Sequence, residues 1–426
     1  MTKSSVKKGK MVKVTDNVYA GVGYALANMT MVITPEGSVI IDTTESIEAA
    51  REILKDFREV SDKPVKYVIY THNHQDHYQG TRAIFEDGAT KEDEVTVIAH
   101  EDFKKEMDLQ ESLGLSGRAR SAAMFGILLP EEERLPVMIC DPDFSVGLRW
   151  EDLDLTEIVG PTQTFDDRYS FILGGITFNL MHAPGETPDH IMVHVPQYDV
   201  VCSGDNFYRF FPNLYTIRGT SPRPVLDWAS AQDRILALKP KYLVPGHGPT
   251  LSGNEEITRA LTSYKKAILY VHGKAMEAVR EFRPIDEVLD GLELPDYMEE
   301  PYLRQIYGYI PYCIRAIYTH YVGWFDGNPV NLNPPSRKEL GEEIINLTGS
   351  VDKVLDHARQ ALDGGKNRIA LELSEMVLLN HPGSEAALQI KAESLLKLAD
   401  AHNGNRPTAN YYRTCASFPR FPDRFV

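Results

Sequence analysis

The sequence predicts a layered α/β domain followed by an all-helical region, and three observations support this division. Short apolar runs alternate with amphipathic helical patterns up to about residue 254. Several of these runs end in a histidine or a carboxylate. After Gly253 the helical periodicity continues without comparable strand patterns. Strands interleaved with helices are typical of sheets covered by helices. We therefore predict an α/β domain over residues 1–254 and a helical domain over residues 255–426.

The predicted elements follow from periodicity and from glycine and proline breaks. Strands are predicted at residues 39–42, 65–70, 95–99, 191–195, 200–202 and 242–245, with a hairpin at 171–178 around Gly174-Gly175. Helices are predicted at 46–59, 224–238, 254–282, 338–363, 367–380 and 384–401. Residues 101–165 interrupt the alternation and are rich in charge, Gly and Pro. We interpret this segment as a long insertion of the kind that often covers a binding site.

Composition excludes several classes of protein. The chain has 426 residues, of which 42% are hydrophobic and 25% charged, and its net charge of −16 disfavours nucleic acid and anionic lipid as partners. No run approaches the roughly 20 apolar residues of a membrane-spanning helix. The basic start at residues 1–8 leads into no apolar signal core, so we expect a cytoplasmic protein. The four cysteines are widely scattered and indicate neither a disulfide framework nor a cysteine-rich zinc site.

The most informative segment is residues 71–77, Thr-His-Asn-His-Gln-Asp-His, which follows the apolar run at 65–70. Imidazole and carboxylate together suit borderline divalent metals, zinc above all. The alternating His72 and His74 can serve one metal, and Asp76 and His77 can serve a second. A polar surface loop that is rich in histidine is the alternative interpretation.

Three further segments also place possible ligands where a strand ends. They are Met181–His190 with the sequence Met-His-Ala-Pro-Gly-Glu-Thr-Pro-Asp-His, Val200–Asp205 with Gly-Asp at its end, and Val244–Gly248 with Gly-His-Gly. Strand ends cluster at one edge of a layered sheet, so these segments can meet the histidine cluster. Four such segments in this order indicate a metal site far more specifically than any one of them would.

These motifs resemble those of the metallo-β-lactamase superfamily of metallohydrolases. The matching pattern is His-x-His-x-Asp-His at 72–77, followed by the Thr-Pro-Asp-His segment, the Gly-Asp strand end and the final Gly-His-Gly. Asp42 matches the carboxylate that supports the ligands from behind. The resemblance implies an α/β fold in which two sheets are sandwiched between helices.

Further segments are similar to the alkylsulfatase branch of that superfamily. Glu186 stands where most members carry histidine, and residues 213–219 resemble the branch's Asn-Leu-Tyr-Thr-Leu-Arg-Gly segment. Residues 116–130 resemble its insertion, and 321–329 resemble a signature of its helical dimerisation domain, which implies a homodimer. Asp205 departs from the branch, which usually has glutamate there. The sequence after about residue 410 shows no counterpart of the branch's sterol-carrier-like domain, so shorter or bulkier organic sulfates are expected.

The resemblance implies a site with two Zn²⁺ ions, although other divalent metals are possible. His72, His74 and Glu186 would hold the first ion, Asp76, His77 and His247 the second, and Asp205 would bridge them. Asp76 and Asp205 are also the candidate catalytic carboxylates. Glu186 in place of histidine adds negative charge, which should favour harder metals. His190 is a competing ligand candidate, and we expect it to belong to the next strand instead.

Arg218 is the candidate for binding the anionic group of a substrate, because a guanidinium fork matches a pair of sulfate oxygens. Asn213 and Tyr215 are weaker substrate-binding candidates. For Arg218 the alternative is a surface Arg that pairs with a carboxylate. Arg223 is also a weaker candidate, and Arg118 could add a second positive contact or be solvated. We expect the tyrosine-rich stretch at 302–324 to form core and interface, with a contribution to the substrate pocket as the alternative.

The favoured hypothesis is a binuclear-zinc hydrolase of organic sulfate esters that releases an alcohol and inorganic sulfate by means of a metal-bound hydroxide. Attack at carbon and attack at sulfur both remain open. Within the same fold, hydrolysis of a thioester, lactone or phosphodiester is the alternative. A metal-stabilised assembly protein without catalytic activity is the alternative from another class.

Overall fold

The computed structural model describes residues 9–86, 88–141, 144–146 and 158–418. The basic start at 1–8 and positions 142–143 and 147–157 of the predicted insertion lie outside the described residues. The strands are β1 (Lys10–Lys13), β2 (Val18–Val22), β3 (Met29–Thr34), β4 (Gly37–Ile41), β5 (Val65–Ile69), β6 (Thr96–His100), β7 (Met138–Asp141), β8 (Phe144–Val146), β9 (Gln163–Phe165), β10 (Arg168–Leu173), β11 (Ile176–His182), β12 (Ile191–Val195), β13 (Val200–Gly204), β14 (Tyr242–Pro245) and β15 (Leu251–Ser252).

The helices follow the same numbering in chain order. They are α1 (Ile47–Arg58), α2 (Gln75–Tyr78), α3 (Arg82–Glu86), α4 (Phe103–Glu111), α5 (Gly114–Met124), α6 (Val225–Leu238), α7 (Asn254–Arg280), α8 (Ile285–Asp290), α9 (Ile310–Val322), α10 (Arg337–Thr348), α11 (Val351–Asp363), α12 (Asn367–Asn380), α13 (Glu385–Ala401) and α14 (Arg406–Ser417).

Two mixed sheets form the N-terminal part of the described chain. The first has the strand order β1-β2-β3-β4-β5-β6-β9, and β4, β5, β6 and β9 run parallel to one another. The second has the order β10-β11-β12-β13-β14-β15, and β13 and β14 are its parallel pair. Ligand sites of α/β sheets lie beyond the carboxyl ends of parallel strands. The loops after β4, β5, β13 and β14 are therefore placed to form one site.

Apolar side chains of the two sheets pack face to face in a single buried cluster. It joins Val32, Val39, Ile41 and Ile69 of the first sheet to Phe178, Leu180, Ile191, Val193 and Val200 of the second. On the outer face of the first sheet, α1 and α3 bury Ile53, Phe57 and Ile84 against Met31, Ile40 and Val68. The predicted sandwich of two sheets between helices is confirmed.

The helical part packs directly against the second sheet. The long helix α7 buries Ile257, Leu261 and Ile268 in the same cluster as Val201 and Leu243 of that sheet. The C-terminal helix α14 returns to the N-terminal part. There the Asn410 amide accepts a hydrogen bond from the Leu135 backbone N–H (2.9 Å) and donates one to the Leu135 carbonyl (2.8 Å). The helical part therefore contacts both the sandwich and the segment that follows α5.

The structure corrects three details of the predicted elements. The single helix predicted at 338–363 is wrong, because Gly349 adopts the left-handed conformation (φ 84°) and separates α10 from α11. Helices α8, α9 and α14 had no predicted counterpart, although a proline lies in the first turn of α9 and of α14, a known start signal. The predicted insertion contains α4 and α5, and its final residues Gln163–Phe165 are a strand of the first sheet.

Within the described residues, no helix combines the length and the apolar character that crossing a membrane requires.

Candidate metal centre and anion site

Loops at one edge of the sandwich carry the side chains that the sequence indicated. Asp42 follows β4, and residues 72–77 follow β5 and enter the short helix α2. Glu186 follows β11, Asp205 follows β13 and His247 follows β14. Each strand end is fixed by the sheet behind it, so the site rests on rigid elements of both sheets.

The structure brings all seven predicted ligands together in two groups. Within each group the possible ligand atoms lie within 4.8 Å of one another, and the groups are His72, His74, Glu186 and Asp205, and Asp76, His77 and His247. All of these side chains are buried except that of Asp76, which is 23% exposed. The site therefore opens to solvent on the side of Asp76.

Asp205 lies between the two groups and contacts both. Its Oδ2 atom is 3.0 Å from His247 Nε2, and its Oδ1 atom is 3.5 Å from His77 Nε2. The same Oδ2 atom is 4.0 Å from His72 Nε2 in the other group. Both oxygens of Asp205 therefore approach the second group, and Oδ2 also approaches the first.

Two histidines of the second group are oriented by hydrogen bonds from their outer nitrogen. His77 Nδ1–H donates to Asp42 Oδ2 (2.8 Å), and His247 Nδ1–H donates to the Leu26 carbonyl (2.6 Å). Such bonds fix the ring and direct Nε2 toward a metal in many metalloproteins. Both Nε2 atoms here face Asp205, so the two rings are preoriented as ligands.

Asp42 is the buried anchor of the loop that follows β5. Its Oδ1 atom accepts the Thr71 backbone N–H (2.8 Å), and Oδ2 accepts the Thr71 hydroxyl (2.9 Å) as well as His77 Nδ1–H. Asp42 itself adopts a left-handed backbone conformation with φ 57°, which Asp tolerates better than most residues. These contacts support the predicted role of Asp42 behind the ligands.

Opposite charges determine how the second group is protonated in the metal-free protein. Burial lowers the pKa of His247, but Asp205 outweighs burial and raises this pKa to about 9. Burial also lowers the pKa of His77. The negative charges of Asp205 and Asp42 together outweigh burial and raise this pKa well above its ordinary value. Burial by itself would raise the pKa of Asp205, yet His247 and His77 hold it well below its usual range. At neutral pH both imidazoles must release a proton before Nε2 can bind a metal.

Histidines of the first group are neutral instead. Burial, and next the nearby His77, lower the pKa of His72 well below its ordinary value. Burial also lowers the pKa of His74 well below its ordinary value, and the positive charge of Arg218 lowers it further. Neutral imidazole is the form that coordinates metals.

Glu186 is paired with Arg223, which the sequence ranked only as a weak substrate-binding candidate. The Arg223 guanidinium donates to Glu186 Oε1, and both side chains are almost fully buried. Burial raises the pKa of Glu186 to about 8, against the opposing effect of Arg223. Arg223 also lies over the ring of Trp228, with 6.0 Å between Cζ and the ring centroid. Arg223 is therefore paired with Glu186 through one nitrogen, while its Nε and Nη2 atoms are buried without a hydrogen-bond partner in the described structure.

Unsatisfied polar atoms show that the donor set fits metal ions. His77 Nε2, Glu186 Oε2 and Asp205 Oδ1 are buried and have no hydrogen-bond partner in the described structure. Buried polar atoms without partners are rare and need an explanation such as an ion. Imidazole nitrogens and carboxylate oxygens are suitable ligands for zinc and similar divalent metals. The residues present therefore suit a divalent metal.

Gly246 explains why the last motif begins with glycine. A Cβ atom at this position would lie 2.1 Å from Asp205 Oδ1 and 2.9 Å from His77 Cε1. No side chain fits there unless the centre moves. The Gly-His pair thus allows the backbone after β14 to approach Asp205 closely enough for His247 to reach it.

Arg218 lies beside the first group of ligands, as its predicted role requires. Its Nη2 atom is 3.3 Å from His74 Nε2, and His74 Nδ1 is 2.9 Å from His72 Nε2. Nδ1 is therefore the nitrogen of His74 that faces the ligand group. Arg218 is partly exposed and places a positive charge at the rim of the site.

Asn213 and Tyr215 are close to Arg218 in sequence, and they line a small cavity. Tyr307, Tyr309 and Tyr312 line the same cavity. Tyr307 also belongs to the core cluster, as the main interpretation of the tyrosine-rich stretch expects. Tyr302 and Tyr318 belong to the helical core, as expected.

Two weaker candidates do not belong to either ligand group. His190 precedes β12, and its Nε2 atom accepts the Asp205 backbone N–H (3.0 Å), so it supports Asp205 from behind. Arg118 is exposed on α5. Its neighbour Arg120 approaches the Arg218 loop instead, with Nη1 3.5 Å from where a Cβ atom on Gly219 would lie. The sequence alone did not show which of Arg118 and Arg120 lies nearer to the loop that carries Arg218.

Family models match two successive parts of the chain. Residues 23–247 match the metallo-beta-lactamase superfamily, and residues 284–420 match the alkyl sulfatase dimerisation family. A linear primary-alkylsulfatase from Pseudomonas sp. (strain ATCC 19151) is 33% identical over 376 residues, which are 87% of this chain and 70% of that protein. The chain belongs to the alkylsulfatases of the metallo-β-lactamase superfamily. The resemblance stated from the motifs is confirmed.

Two further comparisons extend this result. The alkyl/aryl-sulfatase BDS1 from Saccharomyces cerevisiae is 28% identical over 91% of this chain and 60% of that protein. The solved structure of the stereoselective inverting sec-alkylsulfatase Pisa1 from Pseudomonas sp. has a TM-score of 0.85 and 25% identity. The alignment with Pisa1 covers 97% of this chain and 66% of that chain. The chain thus spans about two thirds of the length of these relatives.

The contacts of Asp42 generate a prediction about stability. Asp42→Asn removes the charge that pairs with His77, and we expect the free energy of unfolding to fall by about 3 kcal/mol, as is typical when a buried pair loses one partner. Urea unfolding in the presence of a chelator measures this difference without any contribution from bound metal. Asp16→Asn is the matched control, because the Asp16 side chain is 89% exposed. Equal stability of the two variants would contradict the role of Asp42 as anchor.

Proposed function

We propose that this protein is a binuclear-zinc hydrolase of organic sulfate esters that releases an alcohol and inorganic sulfate. The observation that carries the proposal is the meeting of seven ligand-type side chains with Arg218 at one edge of the sandwich. The metals would activate water as a nucleophile at neutral pH, and Arg218 would hold the anionic group. The alkylsulfatase relatives favour sulfate esters over the thioester, lactone and phosphodiester alternatives.

The two ions would be held by the two groups of ligands. His72, His74 and Glu186 would bind one, and Asp76, His77 and His247 would bind the other. The position of Asp205 between the groups supports a bridging role. Divalent ions would also stabilise the ionised forms of the carboxylates.

Asp76 and Asp205 are the proposed catalytic carboxylates. Asp76 lies on the open side of the centre, where its Oδ2 atom is 3.3 Å from His247 Nε2 and 3.6 Å from His77 Nε2. A substrate that enters from solvent therefore meets Asp76 before it meets the buried Asp205. Asp76 is accordingly placed to accept a proton from water that enters with the substrate.

Arg223 changes the expected effect of Glu186 on metal preference. From sequence, the extra carboxylate should make the first site more negative and favour harder metals. The buried guanidinium of Arg223 offsets that charge. The net charge of this part of the site is then close to that of a site with histidine at position 186, so we retain zinc as the proposed metal.

The protonation of His74 supports the anion-binding role of Arg218. When Nδ1 of a neutral imidazole binds a metal, the proton resides on Nε2. His74 Nε2–H can then no longer accept a hydrogen bond from Arg218, which lies 3.3 Å away. Two N–H donors would face the same space, and an anionic oxygen placed there can accept from both. A sulfate group meets this requirement.

We further propose a division near residue 254 and a homodimer formed by the C-terminal part. The last strand ends at Ser252 and the helical part begins with α7 at Asn254. Large apolar side chains are exposed within the region that matches the dimerisation family, and among them are Tyr321, Trp324, Val330, Leu332, Leu340 and Leu347. A second copy of this chain is the proposed partner for this surface.

Sulfate release tests the proposed reaction. A panel of sulfate esters of varied chain length and branching is assayed with the metal-loaded protein, before and after treatment with a chelator. We expect chelation to abolish release. Asp76→Ala and His247→Ala should each reduce kcat by at least about a hundredfold, because even loss of a residue that only supports a ligand commonly costs 10- to 100-fold. Metal analysis should show about two ions per chain in the wild type and fewer in the variants.

Asp16→Ala is the matched control for these ligand variants, and it should keep wild-type activity and metal content. Full activity of Asp76→Ala and His247→Ala on every ester, or no sulfate release by the wild type, would reject the proposed function.

Arg218→Ala tests the anion site. We expect KM for a sulfate ester and Ki for inorganic sulfate to rise by about tenfold to a hundredfold, the usual effect of losing charge-assisted hydrogen bonds. Arg218→Lys should restore only part of the loss, because an ammonium group lacks the planar fork. Arg168→Ala is the control, since this side chain is 77% exposed. Wild-type turnover by Arg218→Ala at low substrate concentration would contradict the assignment.

Sedimentation velocity at micromolar concentration tests the homodimer. Leu347 is 85% exposed, and we expect Leu347→Asp to weaken the dimer because a charge would enter an apolar interface. Ile172→Asp is the matched control, because Ile172 is 68% exposed on the second sheet, outside the dimerisation match. A wild-type protein that sediments as a monomer would be evidence against the proposed homodimer.

A further inference from the structure

His190 carries an inference that rests on the proposed binding of two metal ions. It directly precedes β12 and belongs to neither ligand group. It is nevertheless fully buried and contacts two members of the first group, His72 and Asp205. We propose that His190 is a positioning residue that holds His72 and Asp205 in place and thereby sets the affinity of the first ligand group for its ion.

The first contact fixes the backbone at Asp205. The Asp205 backbone N–H donates a hydrogen bond to His190 Nε2 (3.0 Å). The imidazole also packs closely against the preceding residue, since a Cβ atom on Gly204 would lie 2.8 Å from both Nε2 and Cε1 of His190. The chain therefore leaves β13 at a place that the imidazole of His190 determines. From that place the Asp205 carboxylate approaches both His247 and His72.

The second contact supports the ring of His72. The rings of His190 and His72 are stacked, with 4.8 Å between their centroids and an angle of 26° between their planes. The residues next to the two histidines are joined as well, because the Ile191 N–H donates to the Thr71 carbonyl (2.8 Å). His72 is thus held against His190 by ring packing and by the main chain beside it.

The hydrogen-bond acceptor is what the imidazole contributes at this position. Because Nε2 of His190 accepts a hydrogen bond, the ring is neutral and carries its proton on Nδ1. Nδ1 is buried and has no hydrogen-bond partner in the described structure. A buried donor without a partner costs stability, so an apolar side chain would serve better if this position only filled the core. The contact with Asp205 explains why a histidine is present.

The histidines of the second group have anchors of their own. His77 Nδ1–H donates to Asp42, and His247 Nδ1–H donates to the Leu26 carbonyl. Neither contact involves His190. By contrast, His190 contacts two of the four residues of the first group. Loss of His190 should therefore weaken binding of the first ion much more than binding of the second.

Three substitutions of His190 test this role. His190→Phe keeps a flat ring beside His72 and removes the acceptor, whereas His190→Gln removes the ring and keeps an acceptor at the place of Nε2. If His190→Phe does not fold, His190→Leu removes the acceptor at a size close to that of Gln. His194→Phe is the matched control, because His194 lies four positions further along, in β12, and belongs to neither ligand group.

Zinc affinity is measured by competition with a chromophoric chelator, in two backgrounds that each leave one ligand group intact. His247→Ala leaves the first group, and His74→Ala leaves the second. We expect His190→Phe to lower the affinity of the first group by about tenfold to a hundredfold, the usual cost of losing a residue that supports a ligand. His190→Gln should recover part of this loss. In the His74→Ala background His190→Phe should leave the affinity nearly unchanged.

The comparison of backgrounds distinguishes a positioning role from a general defect. A protein that is merely destabilised would lose affinity for both ions to the same extent. Urea unfolding in the presence of a chelator checks that each variant is folded before the zinc titration. His194→Phe should keep the zinc affinity of the wild type in both backgrounds.

The outcomes also separate this inference from the proposed function. Equal losses in the two backgrounds, or a first group that keeps its affinity in both His190→Phe and His190→Leu, would overturn the inference alone. An equally large loss in His194→Phe would do the same. A wild-type protein that binds zinc at neither group would overturn the proposed function, and the inference with it.

Discussion

Charge balance among buried carboxylates is the constraint on which the site depends. Asp42, Glu186 and Asp205 all lie at one edge of the sandwich with little exposure to solvent. An ionised carboxylate in such a place needs a positive partner or a proton. Asp42 and Asp205 are balanced by the imidazoles of His77 and His247, while Glu186 is balanced by Arg223. The metal-free protein therefore uses protons and one guanidinium where divalent ions would supply the positive charge.

The two arginines of the site differ in role although only five positions separate them. Arg223 is buried and pairs with Glu186, while its Nε and Nη2 atoms have no hydrogen-bond partner in the described structure. Arg218 remains partly exposed and lies 3.3 Å from the outer nitrogen of His74. In a chain with a net charge of −16, this local positive charge would favour the approach of an anionic group. Burial is therefore what distinguishes the two arginines.

The helical part packs against the sandwich and carries the residues that match the dimerisation family. Its helix α7 packs along the second sheet, and three of its tyrosines line a small cavity together with Asn213 and Tyr215. Asn405, which caps the C-terminal helix α14, lines the same cavity, and Asn410 of α14 reaches the segment after α5. The proposed metal ligands come from the sandwich alone, whereas the walls of this cavity come from both parts of the chain.

Strand periodicity in the sequence predicted a layered α/β domain with possible ligands at its strand ends, because such patterns are local properties of the chain. The resemblance of these motifs to a known family added the two-sheet sandwich, the seven metal-ligand candidates and the places of Asp42 and Arg218. Only the tertiary structure decided that Arg223 pairs with Glu186, that Arg120 approaches the Arg218 loop in place of Arg118, and that three tyrosines line a cavity. These facts depend on segments that are far apart in the chain, such as those of Tyr215 and Thr408, which line the same cavity. The break at Gly349 was missed for a related reason, since the helical pattern continues on both sides of it and only the backbone conformation shows the turn.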